Sequence, residues 1–154
     1  MKTKFLFLSW CAGVLLMASA TAASIEDTVR TVVIIANDNM RYSVTRIDAH
    51  PGEKIRVQLR NEGTLPKEAM AHNWVLLKAG FDATAYATAA LTAKDQNYQP
   101  RSLAEGVLAF IPLVGARQVG ETTFNAPLEP GSYSFLCSFP AHCQIGMRGL
   151  LVVK

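Results

Sequence analysis

Short runs of alternating hydrophobic and polar residues recur between residues 28 and 154, a pattern typical of half-buried β-strands. Residues 54–60 alternate strictly, so one face of that segment is expected to be wet and the other buried. Turn-forming pairs such as Pro51-Gly52 and Pro130-Gly131 separate the runs. The predicted strands are residues 28–36, 42–47, 54–60, 73–77, 106–114, 121–125, 133–137 and 149–154.

One segment departs from this pattern and predicts a helix. Residues 82–95 are rich in alanine and contain neither glycine nor proline, and Asp82 is a suitable N-cap. Residues 96–105, around Pro100, predict an irregular loop. Seven or eight short strands with one short helix indicate an all-β fold, a two-sheet Greek-key β-sandwich; a small barrel is the alternative that the pattern leaves open.

The first 23 residues have the composition of an export signal. Lys2 and Lys4 begin this segment, residues 5–20 carry no charge, and small residues follow. We expect cleavage after Ala22 or Ala23, which leaves residues 24–154 as a single domain in the periplasm; an uncleaved anchor is the alternative. The remainder has no apolar run of about twenty residues, so we expect no internal membrane span.

Charge and cysteine content narrow the class of protein further. Loss of Lys2 and Lys4 with the signal would lower the formal net charge from +3 to +1. Charges so few and so scattered do not form the basic patch of a nucleic-acid-binding protein. The cysteines would fall from three to two, Cys137 and Cys143, which are too few for a disulfide-rich scaffold.

The residues suited to metal chemistry are His72 and three members of the segment 137–147. His142 follows Cys137 by five residues and Met147 follows His142 by five, with a proline and a glycine between them that favour a turn. Two imidazoles, one thiolate and a weak axial thioether form a donor set that suits a copper electron-transfer site. Zinc is the alternative metal, but its structural sites use strong donors and a thioether is a poor one.

Two sequence segments resemble the copper-binding segments of azurin and auracyanin, which are small blue-copper proteins of the cupredoxin family. They are A-H-N-W-V-L at residues 71–76 and C-S-F-P-A-H-C-Q-I-G-M-R-G at residues 137–149. The five-residue step from His142 to Met147 is similar to that of auracyanin. The resemblance covers about residues 28–154 and implies a cupredoxin sandwich with a helical flap between the fourth and fifth strands, where the helix at 82–95 falls.

The resemblance also implies a role for each residue of the site. His72, Cys137 and His142 would be the equatorial ligands of one type 1 copper ion, and Met147 would be the axial ligand. Asn73 would tie the ligand-bearing segments together and hydrogen-bond near the thiolate.

Four neighbouring positions add detail to the predicted copper site. Ala71 stands where azurin has a glycine whose backbone carbonyl approaches copper, although the longer step to the axial methionine opposes that contact here. Phe139 and Pro140 would shield the sulfur from water. Cys143 replaces a serine of azurin; it could be a bystander thiol, a site of oxidation, or the partner of Cys137 in a disulfide of the metal-free form. Its place after the histidine opposes a dinuclear centre.

These features predict a one-electron carrier and not an enzyme, since the sequence shows no catalytic triad, paired carboxylates or second metal site. We expect His142 to present its ring edge at the surface within an apolar rim of Pro140, Ala141 and Ile145. That rim would dock a monomer transiently on a cytochrome or a membrane electron-transfer complex, and the near-neutral charge agrees with apolar recognition. The alternative is a periplasmic copper chaperone. The short chain opposes a third class, the copper domain of a larger oxidase.

Overall fold

The computed structural model describes residues 28–154, and the predicted signal at residues 1–23 lies outside them. Within the described range the chain forms eight β-strands, two α-helices and two 3-10 helices. The strands are β1 (Arg30–Ala36), β2 (Arg46–Ala49), β3 (Lys54–Asn61), β4 (His72–Leu77), β5 (Val107–Val114), β6 (Val119–Asn125), β7 (Gly131–Leu136) and β8 (Arg148–Val153). The helices are α1 (Lys67–Met70) and α2 (Ala83–Ala90), and the 3-10 helices are Lys94–Gln96 and Arg101–Gly106.

The strands form two separate sheets, in the orders β1-β3-β6 and β2-β8-β7-β4-β5. β1 is parallel to β3 and β2 is parallel to β8, whereas the other neighbouring pairs are antiparallel. The predicted all-β two-sheet sandwich is therefore confirmed, and the barrel alternative is not observed.

The alternation of side chains in β3 and β4 explains how the sandwich is held together. In β3, Ile55, Val57 and Leu59 point into the core while the residues between them are more accessible. Every residue of β4 is buried, because its two faces pack against different partners. Trp74 and Leu76 belong to the core between the sheets. Val75 and Leu77 instead pack beneath α2, against residues that include Tyr86 and Ala87.

The predicted helix is present but shorter than expected. Asp82 caps α2 by accepting a hydrogen bond from the Ala85 N–H at 2.6 Å. The prediction that the helix continues to residue 95 is wrong, because α2 ends at Ala90 and the chain then turns through a 3-10 helix. Ala93 has a non-helical backbone (φ −109°, ψ 37°), which separates α2 from the 3-10 helix that follows. The loop predicted at 96–105 contains most of the second 3-10 helix.

The observed boundaries of two strands also differ from the predicted ones. The strand predicted at 42–47 is wrong in position, because β2 is Arg46–Ala49 and Tyr42 makes only an isolated bridge to Ala36. β6 begins two residues before the predicted 121, because Val119 and Gly120 still pair with β3. The short helix α1 was not predicted; it lies directly before β4 and therefore leads the chain into the segment that carries His72.

Candidate metal centre

His72 and Cys137 come to the same end of the larger sheet because antiparallel strands carry them. β4 begins at His72, and Cys137 follows directly after the end of β7. The start of one antiparallel strand lies beside the end of its neighbour, and β4 pairs with β7 through Val75 and Leu136. Residues 137–147, which we call the site loop, connect β7 to β8 and supply His142 from above this end.

The donor atoms of His72, Cys137 and His142 converge on one buried point. They all lie within 4.8 Å of one another, and within the described chain they form a group of side chains that could hold a metal ion. The two imidazole Nδ1 atoms are 3.3 Å apart, and the Nδ1 of His142 is 3.4 Å from the Cys137 Sγ. Two nitrogens and one sulfur at this spacing fit a soft or borderline cation such as copper.

Burial controls the protonation of these donors. It raises the pKa of the Cys137 thiol to about 12, although the backbones of Asn73 and Phe139 oppose that rise. Burial, and secondarily His72, lowers the pKa of His142 to about 4. Burial likewise lowers the pKa of His72. Near neutral pH both imidazoles are therefore neutral and offer lone pairs, whereas the thiol becomes a thiolate when a cation replaces its proton.

Met147 lies at the end of the site loop and is fully buried. Its carbonyl accepts a hydrogen bond from the Cys137 N–H at 3.0 Å, and its own N–H donates to the His142 carbonyl at 2.9 Å. These two bonds close the loop and fix the backbone of Met147 beside both donors. The role of its thioether as the axial ligand stays a prediction.

The site loop contains a backbone feature that the sequence analysis missed. Ala141 has φ 69°, in the left-handed region that residues with a Cβ rarely adopt. Around it, the His142 N–H donates to the Phe139 carbonyl at 3.2 Å and the Ile145 N–H donates to the Ala141 carbonyl at 3.1 Å. This tight turn directs the His142 ring inward. The sequence gives no local signal for the turn, because alanine rarely adopts left-handed backbone angles.

Asn73 joins the two segments that carry the donors. Its side-chain amide donates to the Ser138 Oγ at 2.8 Å, and its Oδ1 accepts from the Ser138 N–H at 2.8 Å. Ser138 in turn donates to the Tyr98 carbonyl at 2.5 Å. The backbone following His72 is thus fixed to the residue following Cys137. The sequence analysis did not identify Ser138, since a serine in a loop carries no signal of its own.

Aromatic rings cover the His142 imidazole on one side. Phe139 is buried, its ring centroid lies 4.9 Å from that of His142, and Tyr98 packs edge-on against Phe139 at 5.2 Å. Pro140 follows at the half-buried margin of the loop. Ala71 is also buried and leads directly into β4. Burial of Phe139 and Ala71 surrounds the donors with apolar groups, which strengthens electrostatic interactions within the site. The shielding of the sulfur by Phe139 and Pro140 stays a prediction.

The expectation that His142 presents its ring edge at the surface is wrong, because the residue is only 1% exposed. Packing with Phe139 and His72 encloses the ring, and the accessible groups of the loop are those beside it. Ala141 is exposed, and Ile145 is 40% exposed.

The two cysteines of the site loop are both free and lie in different buried clusters. Cys137 belongs to the core between the sheets. Cys143 packs beneath α2, where its thiol donates to the Ala83 carbonyl at 3.6 Å. Of the alternatives for Cys143, the structure shows a thiol engaged with the flap helix and not a disulfide.

A two-sheet Greek-key sandwich with two histidines and a cysteine converging at one end is the arrangement of a blue-copper protein. Comparison with known families agrees, since the model for copper-binding proteins of the plastocyanin/azurin family matches residues 29–154. The chain therefore belongs to this family, whose members azurin and auracyanin are electron carriers. The resemblance inferred from residues 71–76 and 137–149 is confirmed.

Individual relatives support the same assignment. Auracyanin-B of Chloroflexus aurantiacus is 32% identical over 130 residues, which are 83% of this chain and 54% of that protein, so the chain spans about half of this relative. Azurin of Pseudomonas fluorescens biotype A is 35% identical over 130 residues, which are 80% of this chain and 97% of azurin. The dithionite-reduced auracyanin of Roseiflexus castenholzii superposes with a TM-score of 0.71 at 30% identity, covering 80% of this chain and 96% of that structure.

Among residues 28–154, none of the helices combines the length and the apolar character needed to cross a membrane.

Proposed function

We propose that this protein is an exported type 1 blue-copper protein that carries single electrons between redox partners. His72, Cys137 and His142 would be the equatorial ligands and Met147 the axial ligand. The observation that carries the proposal is the convergence of the three donor atoms within 4.8 Å at a buried end of the sandwich. Copper, when bound, supplies the one-electron chemistry by alternating between Cu(I) and Cu(II).

The chain contributes a rigid set of donors. His72 is held by β4, and the bonds between Asn73 and Ser138 fix it relative to Cys137. The site loop is closed by hydrogen bonds between its own backbone groups, and its donors are buried. Because these side chains have little room to move, the ligands keep one geometry in both oxidation states, which favours rapid electron transfer over release of the metal.

The exposed apolar part of the site loop is the proposed docking surface. Ala141 is exposed, Ile145 is 40% exposed, and Pro140 is half-buried. A cytochrome or a membrane electron-transfer complex would cover this surface briefly, and electrons would pass between that partner and the His142 ring. The formal charge of the chain without residues 1–23 is close to zero, which agrees with recognition by apolar contact. A monomer suffices for this role.

Export belongs to the same proposal. Residues 1–23 would be removed after Ala22 or Ala23, and residues 24–154 would act as one domain in the periplasm. Sequencing the amino terminus of the protein recovered from the periplasmic fraction tests this, and recovery of an intact Met1 would contradict it.

The central experiment is the visible spectrum of the purified protein after addition of Cu(II) with Cys137 kept reduced. We expect an intense blue band from charge transfer between the Cys137 sulfur and copper. Cys137→Ser should abolish this band, because a hydroxyl cannot replace the thiolate. Cys143→Ser is the matched control; it should keep the band, because Cys143 lies beneath α2 and outside the donor group.

Two results would contradict the proposal. A colourless protein under these conditions would exclude a type 1 site. Transfer of the copper to a metal-free acceptor during repeated cycles of oxidation and reduction would indicate a copper chaperone, whereas a carrier keeps its metal through each cycle.

A further inference from the structure

Tyr42 is a buried tyrosine that the roles assigned so far leave unexplained. It is 5% exposed, and its ring lies 5.9 Å from that of Phe135 in the core. Its hydroxyl donates a hydrogen bond to the backbone carbonyl of Asn73, thirty-one positions further along the chain. A phenylalanine would fill the same space, so the hydroxyl is the feature that requires a reason.

The hydroxyl reaches the copper site through Asn73. This residue follows the ligand His72, and its side chain makes two hydrogen bonds to Ser138, which follows the ligand Cys137. Tyr42 and Cys137 also belong to the same buried core cluster. Tyr42 therefore acts on the residue that links the donor-bearing segments, and it packs in the cluster that contains the sulfur.

We propose that Tyr42 is a positioning residue of the copper site, whose hydroxyl holds the Asn73 backbone against the Cys137 sulfur and thereby raises the reduction potential. Hydrogen-bond donors around the cysteine sulfur weaken its donation of electrons to the metal, which disfavours the more highly charged Cu(II) state. This inference rests on the ligand set given under the proposed function.

The test compares Tyr42→Phe with Tyr133→Phe. Tyr133 is also 5% exposed, and its hydroxyl also donates to a backbone carbonyl, that of Glu129, at 2.7 Å. It precedes Cys137 by four residues, which in a strand corresponds to about 13 Å. Both substitutions remove one buried hydroxyl and keep the ring, but only the first affects a group joined to the site.

We expect Tyr42→Phe to lower the reduction potential and to shift the blue band to lower energy. A hydrogen bond of ordinary net strength corresponds to a factor of about three to ten in the equilibrium with a reference couple, and tenfold corresponds to about 59 mV. Tyr133→Phe should leave the potential and the band unchanged, while both variants lose stability in urea without metal.

A second substitution protects the test against a variant that folds poorly. Replacement of Tyr42 by 3-fluorotyrosine keeps the ring and the hydroxyl but makes the phenol a stronger donor, so the potential should rise instead of falling. An unchanged potential in both Tyr42 variants, with the blue band intact, would overturn the inference while leaving the copper assignment in place. Absence of the band from the unsubstituted protein would instead overturn the proposed function.

Discussion

The strained turn of the site loop offers a sharp test of the structure, because its effect on stability has a sign opposite to the usual one. Ala141 has φ 69° between Pro140 and His142, and its side chain is exposed. A Cβ in this region costs about 1–2 kcal/mol relative to an unstrained backbone. Glycine adopts the same conformation without that cost.

We therefore expect Ala141→Gly to stabilise the metal-free protein. The relief of about 1–2 kcal/mol is partly offset by about 0.4–1 kcal/mol, because glycine has more freedom in the unfolded chain. The net gain is about 0.5–1 kcal/mol. The neighbouring hydrogen bonds, from His142 to Phe139 and from Ile145 to Ala141, join backbone atoms and are kept.

Urea unfolding without metal measures this gain as a higher midpoint with an unchanged slope. The matched control is Ala89→Gly within α2, where the backbone is helical and the side chain is half-buried. Glycine there should cost about 1 kcal/mol. If Ala141→Gly lost stability as Ala89→Gly does, the left-handed turn at Ala141 would be refuted.

Two further predictions concern the axial position and the far surface of the sandwich. Met147→Leu should keep copper and the blue colour but raise the reduction potential, because loss of the thioether favours Cu(I). The expected rise is about 59 mV, which is a tenfold change in the equilibrium with a reference couple, and cyclic voltammetry measures it. Loss of copper would contradict the role of Met147 as a weak ligand. The Arg30 Nε lies 2.5 Å from the Glu53 Oε1, and this contact holds the pKa of the carboxyl below its ordinary value of 4.5. The pair therefore stabilises the protein above pH 4.5, and this stabilisation is lost as the pH falls through the lowered pKa. Thermal unfolding between pH 3 and 6 should show a weaker acid dependence in Glu53→Gln than in the parent, and identical profiles would contradict the ion pair.

The sequence predicts most of the scaffold because the burial of its strands repeats every two residues. Residues 54–60 alternate in the sequence and in the structure, and the whole of β3 buries one face. Asp82 was identified as an N-cap from its residue type alone, since a carboxylate before an alanine-rich segment can accept the free N–H groups of the first turn. Such local signals depend on neighbouring residues only, and they survive folding unchanged.

The two main errors have different origins. The helix was expected to reach residue 95, but the Thr92 hydroxyl donates to the Ala89 carbonyl at the end of α2, and the backbone of Ala93 is no longer helical (φ −109°, ψ 37°). His142 was expected at the surface because it lies in a loop. Its enclosure by Phe139 and His72 depends on contacts between segments up to 70 positions apart, which no local pattern reports.

The donors illustrate both situations within one site. Spacing and residue type were enough to select His72, Cys137 and His142, which the structure brings together. Of the groups that support them, Asn73 was selected, but Ser138 and Tyr42 were not, because these two residues contact Asn73 only when the fold brings their segments beside β4. Residue type alone therefore identifies the donors, whereas the hydrogen bonds around them form only between segments that the fold brings together.

The same separation of faces explains how two cysteines in one short loop remain unpaired. β4 directs Trp74 into the core between the sheets and Val75 beneath α2, and the two thiols follow the same division. Cys137 faces the core with the imidazoles, while Cys143 faces the helix and donates to Ala83. Each thiol is fully buried on its own side, so a disulfide between them would require the loop to change its conformation.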